Sequence, residues 1–381
     1  MKVLVLPLFQ MPSGHHQAAD AMIEVMSSFH DDDITFKKVD FLSYCHPPLE
    51  RKVSGFYLHW ITENPKTYSR FYKLFMFSRD HDHDFVQSLF FWNRYFEWRM
   101  EQFILEEDPD LIICTHCYPS KLLDSLKQRM KLSRPVINVY TDFFINDIWG
   151  KKAIDYHLAP NQQAKEQLMA EFQVPQERIF VTGIPTFPVY HAHQAAPLPE
   201  KNYILIAGGN SGLGNMFPFL KEITEKGNST FTYKVLCGKN RKLYNKISEL
   251  QNPDIIPLSY IDSPEKMNDL YNGALAILTK PGGITISEAL SKALPIFVLH
   301  SLPGQEEINK RYLLNKGLIF ELDLKKNIEG QFTQILFDSK KLADLKSRIE
   351  LWNSEKDASL SEALLSIIHG ERAYLPSISP V

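Results

Sequence analysis

Short apolar runs that end at Gly, Pro or Asp alternate with segments of helical periodicity along most of this chain. This alternation is typical of βα units, in which a parallel sheet buries its strands on both faces. The first half of the sequence predicts strands at 2–9, 34–39, 111–115, 136–140, 156–158 and 179–181. A second series is predicted at 203–207, 232–236, 254–258, 274–278, 296–299 and 318–320. The chain is therefore expected to form α/β domains with parallel sheets.

The two series of strands indicate two domains, and a length of 381 residues exceeds that of a typical single domain. The segment 189–202 contains prolines and no apolar periodicity, so it is predicted to be an interdomain linker. We expect an N-terminal domain over 1–195, a C-terminal domain over 196–360, and a helix and tail over 361–381 that pack back on the N-terminal domain. A cleft between the carboxyl edges of the two sheets is the expected ligand site.

The overall charge argues against a nucleic-acid binder. Lys plus Arg number 42 and Asp plus Glu number 45, which gives a net charge of −3 without the basic excess that phosphate binding requires. The 4 cysteines do not form a disulfide framework in so long a chain, which indicates a reducing, cytoplasmic compartment. No run reaches the ~20 apolar residues of a spanning helix, so any membrane contact is expected to be peripheral.

An aromatic-rich segment over 51–103 interrupts the βα pattern and is predicted to be a helical insertion. Within it Lys66, Arg70 and Lys73 recur at i, i+4 and i+7, while aromatic residues occupy other faces. A helix built in this way suits the interface of a membrane. The alternative is that the rings pack the insertion onto its own domain, and the sequence leaves both interpretations open.

The segment TKPGGITISEAL, which begins at Thr279, follows a predicted strand and carries the clearest chemical pattern. Gly282 and Gly283 open a helix, so that bare amides and the positive helix end can face a phosphate. Thr285 adds a hydroxyl to this end. Glu288 follows about one and a half turns later, where a carboxylate could accept both hydroxyls of a ribose. The segment is therefore predicted to bind a nucleotide.

The segment PGQEEIN then opens the next predicted helix. Gln305 and Asn309 share one helix face at i and i+4, with Glu306 beside them, and this set suits a polyhydroxylated sugar. The alternative is that Pro-Gly-Gly forms only a turn and Gln-Glu only a helix start. The combined spacing of the two segments favours a nucleotide-sugar site.

Histidine follows the first predicted strand in the segment MPSGHHQAADAM. Ser13 and Gly14 form a tight turn, and His15 stands at the start of the following helix, where an imidazole could accept a proton from an attacking hydroxyl. Its neighbour His16 is a weaker candidate. A purely structural role for His15 is the alternative.

Two further loops follow predicted strands. In YTDFFINDIW, Asp142 could orient an imidazole or contact an acceptor, or it could simply cap a short helix. Trp149 would lie on the same edge of the sheet. The glycine loop that begins with Gly208 and Gly209 permits close approach of a diphosphate, although its spacing does not fit the dinucleotide fingerprint.

Two patterns that resemble metal sites are interpreted differently. The pair Cys114 and Cys117 has no second CxxC and ends a predicted strand, so it is expected to pack rather than to bind zinc. The run of alternating Asp and His at 80–84 lies inside the aromatic insertion and not after a strand, so it is expected to be a solvated loop. No metal is predicted.

These motifs together resemble the family of monogalactosyldiacylglycerol synthases and bacterial processive diacylglycerol glucosyltransferases. The resemblance extends from SGHHQAA through TDF, GIP, VLCGKN and LSYI to TKPGGITISEA and PGQEEIN. It implies the GT-B fold, in which two Rossmann-like domains face each other across a cleft, with a UDP-sugar bound to the C-terminal domain. Together with the motifs above, it predicts the donor-binding residues Gly208, Gly209, Tyr260, Ile261, Lys280, Gly282, Gly283, Thr285, Glu288, Gln305, Glu306 and Asn309.

The resemblance also assigns parts of the donor and of the acceptor. The backbone near Tyr260 and Ile261 would contact uracil, Glu288 would contact the ribose, and the glycines of TKPGG would contact the diphosphate. Gln305, Glu306 and Asn309 would surround the hexose. The N-terminal domain would bind the acceptor, with His15 as the catalytic base and with Gly14, His16 and Trp149 at the acceptor site.

Two positions depart from the family pattern. Asn146 stands where TDFxxHxxW usually has histidine, and Phe187 stands where GIPxRP has a basic residue. Both are expected on the cleft side and bear on the identity of the acceptor, so the donor motifs match the family better than the acceptor motifs do.

The chain is therefore predicted to be an inverting, metal-independent hexosyltransferase, with His15 and Asp142 as catalytic residues. It would transfer glucose or galactose from a UDP-sugar to diacylglycerol or another hydroxyl acceptor, as a peripheral protein on the inner face of the membrane. An enzyme acting on a soluble acceptor is one alternative, which Asn146 and Phe187 favour. A UDP-sugar-binding regulator without turnover and a GT-B nucleotide-sugar epimerase are the others.

Overall fold

The computed structural model describes residues 1–8, 13–29, 33–64, 67, 70, 83–191, 203–208, 216–227, 229–299, 301 and 304–374. The chain divides into two compact units. Unit 1 comprises Met1–Pro185 together with Glu355–Val381, and unit 2 comprises Thr186–Ser354. The chain therefore changes unit somewhat earlier than the expected boundaries at 195 and 360.

Unit 1 contains, within the described residues, a 6-stranded sheet in the order β2-β1-β3-β4-β5-β6, and all of its neighbouring strands are parallel. The strands are β1 (Lys2–Leu6), β2 (Thr35–Lys38), β3 (Leu111–Cys114), β4 (Val136–Val139), β5 (Tyr156–Ala159) and β6 (Ile179–Val181). The helices are α1 (Gly14–Ser27), α2 (Phe41–Cys45), α3 (Pro47–Glu63), α4 (His83–Glu107), α5 (Cys117–Gln128) and α6 (Gln162–Phe172).

The sheet of unit 1 is the centre of its core. Both β3 and β4 are buried at every residue, which explains why they read as continuous apolar runs in the sequence. The chain leaves β1 toward β2 on one side and later returns to place β3 on the other side. Such a reversal is a topological switch point, where α/β sheets bind ligands beyond the carboxyl ends of their strands.

Unit 2 contains, within the described residues, a second 6-stranded parallel sheet in the order β12-β11-β10-β7-β8-β9. The strands are β7 (Tyr203–Ala207), β8 (Thr232–Leu236), β9 (Ile255–Leu258), β10 (Ala274–Thr279), β11 (Ile296–Val298) and β12 (Phe320–Glu321). The helices are α7 (Met216–Lys226), α8 (Arg241–Ser248), α9 (Pro264–Asn272), α10 (Gly283–Ser291), α11 (Gln305–Asn315), α12 (Ile328–Leu336) and α13 (Ser339–Ser354).

The strand order of unit 2 is that of the Rossmann fold, in which the switch point lies between the first and fourth strands. These strands are β7 and β10, and their carboxyl ends are joined by a side chain. Oγ1 of Thr279 donates a hydrogen bond of 2.9 Å to the carbonyl oxygen of Ala207. The glycine-opened helix α10 therefore begins next to the switch point of its sheet.

The chain returns to unit 1 at its C-terminal end. The backbone N–H of Asp357 donates to Val181 O at 2.9 Å. The Asp357 carboxylate in turn accepts hydrogen bonds from Val181 N at 3.0 Å and from Lys165 Nζ at 2.7 Å. The last helix, α14 (Leu360–Tyr374), buries apolar residues in the same cluster as Val3 and Val5 of β1. These buried residues are Ala363, Leu364, Ile367 and Ile368.

The predicted α/β class with two Rossmann-like sheets is confirmed, and every predicted strand is present among the described residues. The first strand ends at Leu6 and not at residue 9, because Pro7 has no N–H to donate to a neighbouring strand. The helical character of the insertion appears in α3 and α4. Lys66 and Lys73 of its basic row lie outside the described residues.

Candidate active site

The imidazole of His15 lies at the N-terminus of α1, beside the switch point of unit 1. Its Nδ1 is 2.8 Å from the carbonyl oxygen of Thr115 and 3.0 Å from Oγ1 of Thr141. A carbonyl oxygen can only accept, so Nδ1 carries the proton of the neutral ring. The other nitrogen, Nε2, then has a lone pair that is available to accept a proton.

The loops after three neighbouring strands meet at this histidine. His15 follows β1, Thr115 follows β3, and Thr141 follows β4. Oγ1 of Thr115 also donates a hydrogen bond of 2.9 Å to the carbonyl oxygen of His15. The ring and its backbone are therefore both held against the end of β3.

The surroundings of His15 keep its ring neutral. Burial lowers the pKa of His15 to about 4, the hydrogen bond with Thr115 raises this pKa, and His16 lowers it. The ring of His116 packs edge-to-face against that of His15, with 4.6 Å between centroids. Burial and the neighbouring His15 hold the pKa of His116 well below its usual range. A neutral imidazole near pH 7 is the state that a general base requires.

The two other acceptor-side candidates occupy different environments. Trp149 is buried, and its ring packs edge-to-face on Tyr140 at a centroid distance of 4.7 Å, so it forms part of the core of unit 1. Asp142 is partly exposed and is one of the groups that raise the pKa of Cys117, after burial. Oγ1 of Thr141, the residue before Asp142, lies 3.0 Å from Nδ1 of His15. Gly14 and His16 lie in the first turn of α1.

The residues that depart from the family pattern have local structural roles. Oδ1 of Asn146 accepts a hydrogen bond of 3.1 Å from the backbone N–H of Ile148, which forms a tight turn before Trp149. Phe187 precedes a short 3₁₀ helix in unit 2 and packs edge-to-face against Tyr190.

The nucleotide-binding candidates of unit 2 surround the start of α10. Gly282 is its N-cap residue, and a Cβ atom built on Gly282 would meet no heavy atom of the described residues within 4 Å. Thr285 lies in the first turn and is partly exposed, as is Lys280 just before the helix. Amides of a helix N-terminus suit an anion such as a phosphate, and no described residue crowds Gly282 at this helix start.

The carboxyl group of Glu288 is buried on the same helix. Its Oε2 accepts a hydrogen bond of 2.7 Å from the hydroxyl of Tyr271, which is also buried. Burial raises the pKa of Glu288 to about 7, and the hydrogen bond from Tyr271 lowers it. Glu288 therefore changes its charge close to neutral pH.

The remaining donor-side candidates lie at other strand ends of unit 2. Tyr260 is exposed after β9, and Nζ of Lys239 lies 4.8 Å from the centroid of its ring. Ile261 follows it and is partly exposed. Gly208, directly after β7, is buried, whereas Gly209 lies outside the described residues.

The sugar-binding candidates open α11. Its N-cap residue Gly304 has a φ of 102°, a left-handed conformation that favours glycine. Gln305 and Glu306 are partly exposed in the first turn, and Asn309 is fully buried one turn later. The predicted helix start is therefore present, and its polar residues differ in their exposure to solvent.

The patterns that resemble metal sites are distributed as follows. Cys114 is buried in β3, Cys117 begins α5, and both thiols are free. Of the acidic and histidine run at 80–84, only His83 and Asp84 are described, and they begin α4. Among the described residues, no group of three or more His, Cys, Asp or Glu side chains could hold a metal ion.

Three residues of these sites were not singled out from the sequence as site candidates. Thr115 and His116 meet His15 because β3 is the neighbour of β1, and strand order is not visible in a local pattern. Tyr271 meets Glu288 because α9 packs beside α10. A signal for Thr115 existed, since it directly follows a predicted strand, but nothing in the sequence indicated which strand would lie next to β1.

Two parallel Rossmann-like sheets, one with a neutral histidine at its switch point and the other with a glycine-opened helix, have the GT-B fold of glycosyltransferases. The model of the monogalactosyldiacylglycerol (MGDG) synthase family matches residues 15–186. The chain belongs to this family of glycosyltransferases.

Relatives of the chain match it over nearly its whole length. It is 36% identical to the uncharacterized glycosyltransferase YkoN of Bacillus subtilis (strain 168), over 98% of this chain and 99% of that protein. It is 28% identical to the processive diacylglycerol beta-glucosyltransferase of Bacillus cereus (strain G9842), over 100% of this chain and 97% of that protein. The S. aureus MnaA-UDP co-structure shares the fold, with a TM-score of 0.59, 17% identity, and coverage of 100% of this chain and 98% of that chain.

Proposed function

We propose that this protein is an inverting glycosyltransferase that transfers a hexose from a UDP-sugar to diacylglycerol. The observation that carries the proposal is the 2.8 Å contact between Nδ1 of His15 and the carbonyl oxygen of Thr115, which leaves Nε2 unprotonated. The lipid acceptor is supported by the similarity to a processive diacylglycerol beta-glucosyltransferase. The donor is supported by the fold shared with a protein solved in complex with UDP.

In the proposed reaction, Nε2 of His15 takes the proton of the acceptor hydroxyl as its oxygen attacks the anomeric carbon. The bond from that carbon to the acceptor oxygen forms while its bond to the diphosphate oxygen breaks, and UDP leaves with the electron pair. One displacement of this kind inverts the anomeric configuration. General-base catalysis by a positioned histidine contributes a factor of roughly 10²–10⁴ to the rate.

Unit 2 supplies the donor site in this proposal. The amides at Gly282 and Gly283 and the hydroxyl of Thr285 bind the diphosphate and stabilise the charge that develops on UDP. A helix N-terminus supplies this stabilisation without a metal, so we propose a metal-independent reaction. Glu288 accepts hydrogen bonds from the ribose. The remaining roles follow the family resemblance: the backbone at Tyr260 and Ile261 contacts uracil, and Gln305, Glu306 and Asn309 contact the hexose.

The protein would reach its lipid acceptor as a peripheral protein on the inner face of the cell membrane. Helices α3 and α4 of unit 1 carry exposed aromatic rings, with Phe56 63% and Trp98 52% exposed. The guanidinium of Arg99 lies 5.8 Å from the Trp98 ring, so a cation stands beside an amphipathic ring that suits a lipid headgroup region. In the described part of the chain, no helix is both long and apolar enough to cross a membrane.

The test is incubation of the purified protein with UDP-glucose or UDP-galactose and diacylglycerol vesicles, followed by mass and NMR analysis of the lipid. We expect a glycolipid whose sugar has the configuration opposite to that of the donor, from one of the two sugars preferentially. A product of retained configuration contradicts the single displacement. A product only from soluble hydroxyl compounds contradicts the lipid acceptor.

A further inference from the structure

The carboxyl group of Glu288 is buried in unit 2, and one of its oxygens accepts a hydrogen bond from a tyrosine hydroxyl. Glu288 is only 4% exposed and Tyr271 only 1% exposed, and the hydroxyl of Tyr271 donates to Oε2 at 2.7 Å. A carboxylate has about four acceptor positions on its two oxygens. The bond from Tyr271 therefore leaves acceptor capacity on Glu288 and restricts the direction in which it points.

Neighbouring residues hold Tyr271 in place. The hydroxyl of Tyr203, the first residue of β7, donates a hydrogen bond of 2.7 Å to the carbonyl oxygen of Leu270. Gly273 is packed so closely on that ring that a Cβ atom at Gly273 would lie 2.8 Å from the Tyr203 hydroxyl. On another side, the ring of Tyr190 meets the Tyr271 ring edge-to-face, with centroids 5.6 Å apart. The end of α9 is thus anchored on the sheet, and the tyrosine is pre-positioned for Glu288.

Within the described residues, titratable groups around Glu288 come from three elements. Tyr271 approaches from α9, and Tyr190 stands behind it on the short helix Pro188–Tyr190. Lys292, the C-cap residue directly after α10, lies one turn beyond Glu288, and burial lowers its pKa. The groups that act on the pKa of Glu288 are burial, which raises it, and the hydrogen bond from Tyr271, which lowers it. Near neutral pH, the tyrosine hydroxyl therefore stabilises the ionised form of the carboxyl group.

We propose that Tyr271 is a positioning residue for nucleotide recognition, which holds Glu288 ionised and oriented so that its remaining acceptor sites receive the ribose hydroxyls. The proposal rests on the ribose-binding role of Glu288 in the proposed function. It adds a pH dependence to that role. At a pH where Glu288 is protonated in the free protein, binding of the nucleotide releases a proton. Tyr271 does not touch the nucleotide but acts through the carboxylate.

Calorimetric titration with UDP from about pH 5.5 to about pH 8.5 tests this linkage. The terminal phosphate of UDP itself titrates near pH 6, so the quantity compared is the ratio of the Glu288→Ala Kd to the wild-type Kd at each pH. We expect this ratio to fall toward one as pH decreases through about 7, because a protonated carboxyl group no longer offers charged acceptors to the ribose. A ratio that stays above one and does not change with pH overturns the proposal without any tyrosine variant.

Tyr271→Phe tests the tyrosine directly, and Tyr233→Phe is its matched control. Both variants remove one buried tyrosine hydroxyl of unit 2 that donates to a carboxylate, but the hydroxyl of Tyr233 donates to Glu329 at 2.7 Å and not to Glu288. For Tyr271→Phe we expect a UDP affinity about ten-fold weaker at pH 7, and a pH dependence displaced to higher pH. Tyr233→Phe is expected to keep the wild-type pH profile.

The outcomes separate this inference from the proposed function. Equal pH profiles for Tyr271→Phe and wild type, or an equal displacement in Tyr233→Phe, overturn the positioning role alone. An unchanged UDP affinity in Glu288→Ala at every pH removes Glu288 from the ribose site, and with it the donor assignment of the proposed function.

Discussion

His15 and Thr115 exchange two hydrogen bonds, although they are separated by 100 positions in the sequence. Nδ1 of the imidazole contacts the threonine carbonyl oxygen at 2.8 Å, and the threonine hydroxyl donates to the His15 carbonyl oxygen at 2.9 Å. The first contact selects the tautomer of the ring, and the second fixes the start of α1 against the end of β3. The candidate base therefore has a defined proton position before any substrate binds.

Replacement of His15 by Ala is expected to lower turnover by roughly 10²–10⁴ and to leave UDP affinity unchanged, because the base acts on the acceptor and not on the donor. Turnover assays and calorimetry with UDP give the two values. His369→Ala, on the exposed side of α14, is the control for removal of a histidine. Near-normal turnover in His15→Ala would make His15 structural.

Acid should destabilise unit 1 through histidines that are buried in neutral form. Burial lowers the pKa of His157 to about 3, and its Nδ1 lies 2.9 Å from the hydroxyl of Tyr140. Between about pH 6.5 and about pH 5, this histidine is protonated only in the unfolded chain, which costs up to roughly 2 kcal/mol of stability. His157→Gln should weaken this pH dependence, because glutamine does not titrate.

The measurement is urea unfolding of wild type and of His157→Gln at about pH 6.5 and at about pH 5. The glutamine variant is expected to lose less stability on acidification, whatever its stability at pH 7. An identical loss in both proteins would mean that His157 can accept a proton within the fold.

The ribose assignment of Glu288 predicts a dependence on the sugar of the nucleotide. The Kd of wild type for UDP should be lower than its Kd for 2′-deoxy-UDP by a factor of about ten or more, because a hydrogen bond to a charged acceptor contributes roughly 1.5–3 kcal/mol. In Glu288→Ala this preference should disappear, whereas the exposed control Glu249→Ala should retain it. Competition binding at about pH 8 keeps the wild-type carboxyl group ionised. A preference that survives in Glu288→Ala would place the ribose elsewhere.

The carboxylate of Asp357 is expected to stabilise the return of the chain to unit 1. It accepts hydrogen bonds from Val181 N and Lys165 Nζ, and these contacts lower its pKa against the opposing effect of burial. Asp357→Ala should reduce stability by about 1–3 kcal/mol at pH 7. Because the folded-state pKa is lowered, this contribution is present above the unfolded pKa and is lost as pH falls through the folded value.

Urea unfolding at pH 7 and limited proteolysis measure the effect of Asp357→Ala. The variant is expected to expose α14 to cleavage earlier than wild type does. Asp344→Ala, an exposed position on α13, is the matched control. Equal stability of both variants would show that packing of α14 alone holds the chain end.

The membrane proposal predicts that the exposed rings of unit 1 contribute to vesicle binding. Phe56→Ser combined with Trp98→Ser should reduce cosedimentation with anionic vesicles, and salt should release only part of the bound wild type, because salt does not screen ring insertion. Phe337→Ser is the control, since Phe337 is 67% exposed but lies in unit 2. Unchanged binding of the double variant would contradict a docking role for these rings.

The basic residues of the insertion are expected to account for the salt-sensitive part of vesicle binding. Replacement of Lys66, Arg70 and Lys73 by Glu should reduce cosedimentation further, because each basic residue near an anionic surface contributes about 1 kcal/mol. Arg70 is exposed, and the two lysines lie outside the described residues. A wild type that ignores anionic vesicles and glycosylates soluble acceptors would contradict the lipid acceptor itself.

The sequence by itself was sufficient to locate the strands and the start of α10. Buried parallel strands appear as short apolar runs, and two glycines after such a run mark a helix that opens next to a strand end. These signals are local, because each depends on the periodicity or the backbone preference of a few adjacent residues. Gly282 and Gly283 could therefore be placed before the fold was known.

Only the tertiary structure decided which distant groups meet. Thr115 reaches His15 because β3 pairs with β1, and Tyr271 reaches Glu288 because α9 packs beside α10. The ring of Trp149, an acceptor-site candidate, is buried and packs edge-to-face on Tyr140. Hydrogen-bond partners, burial and the resulting pKa values depend on strand order and helix packing, which long-range contacts determine. The sequence thus determined the elements and the candidate residues, and the tertiary structure determined their protonation and their partners.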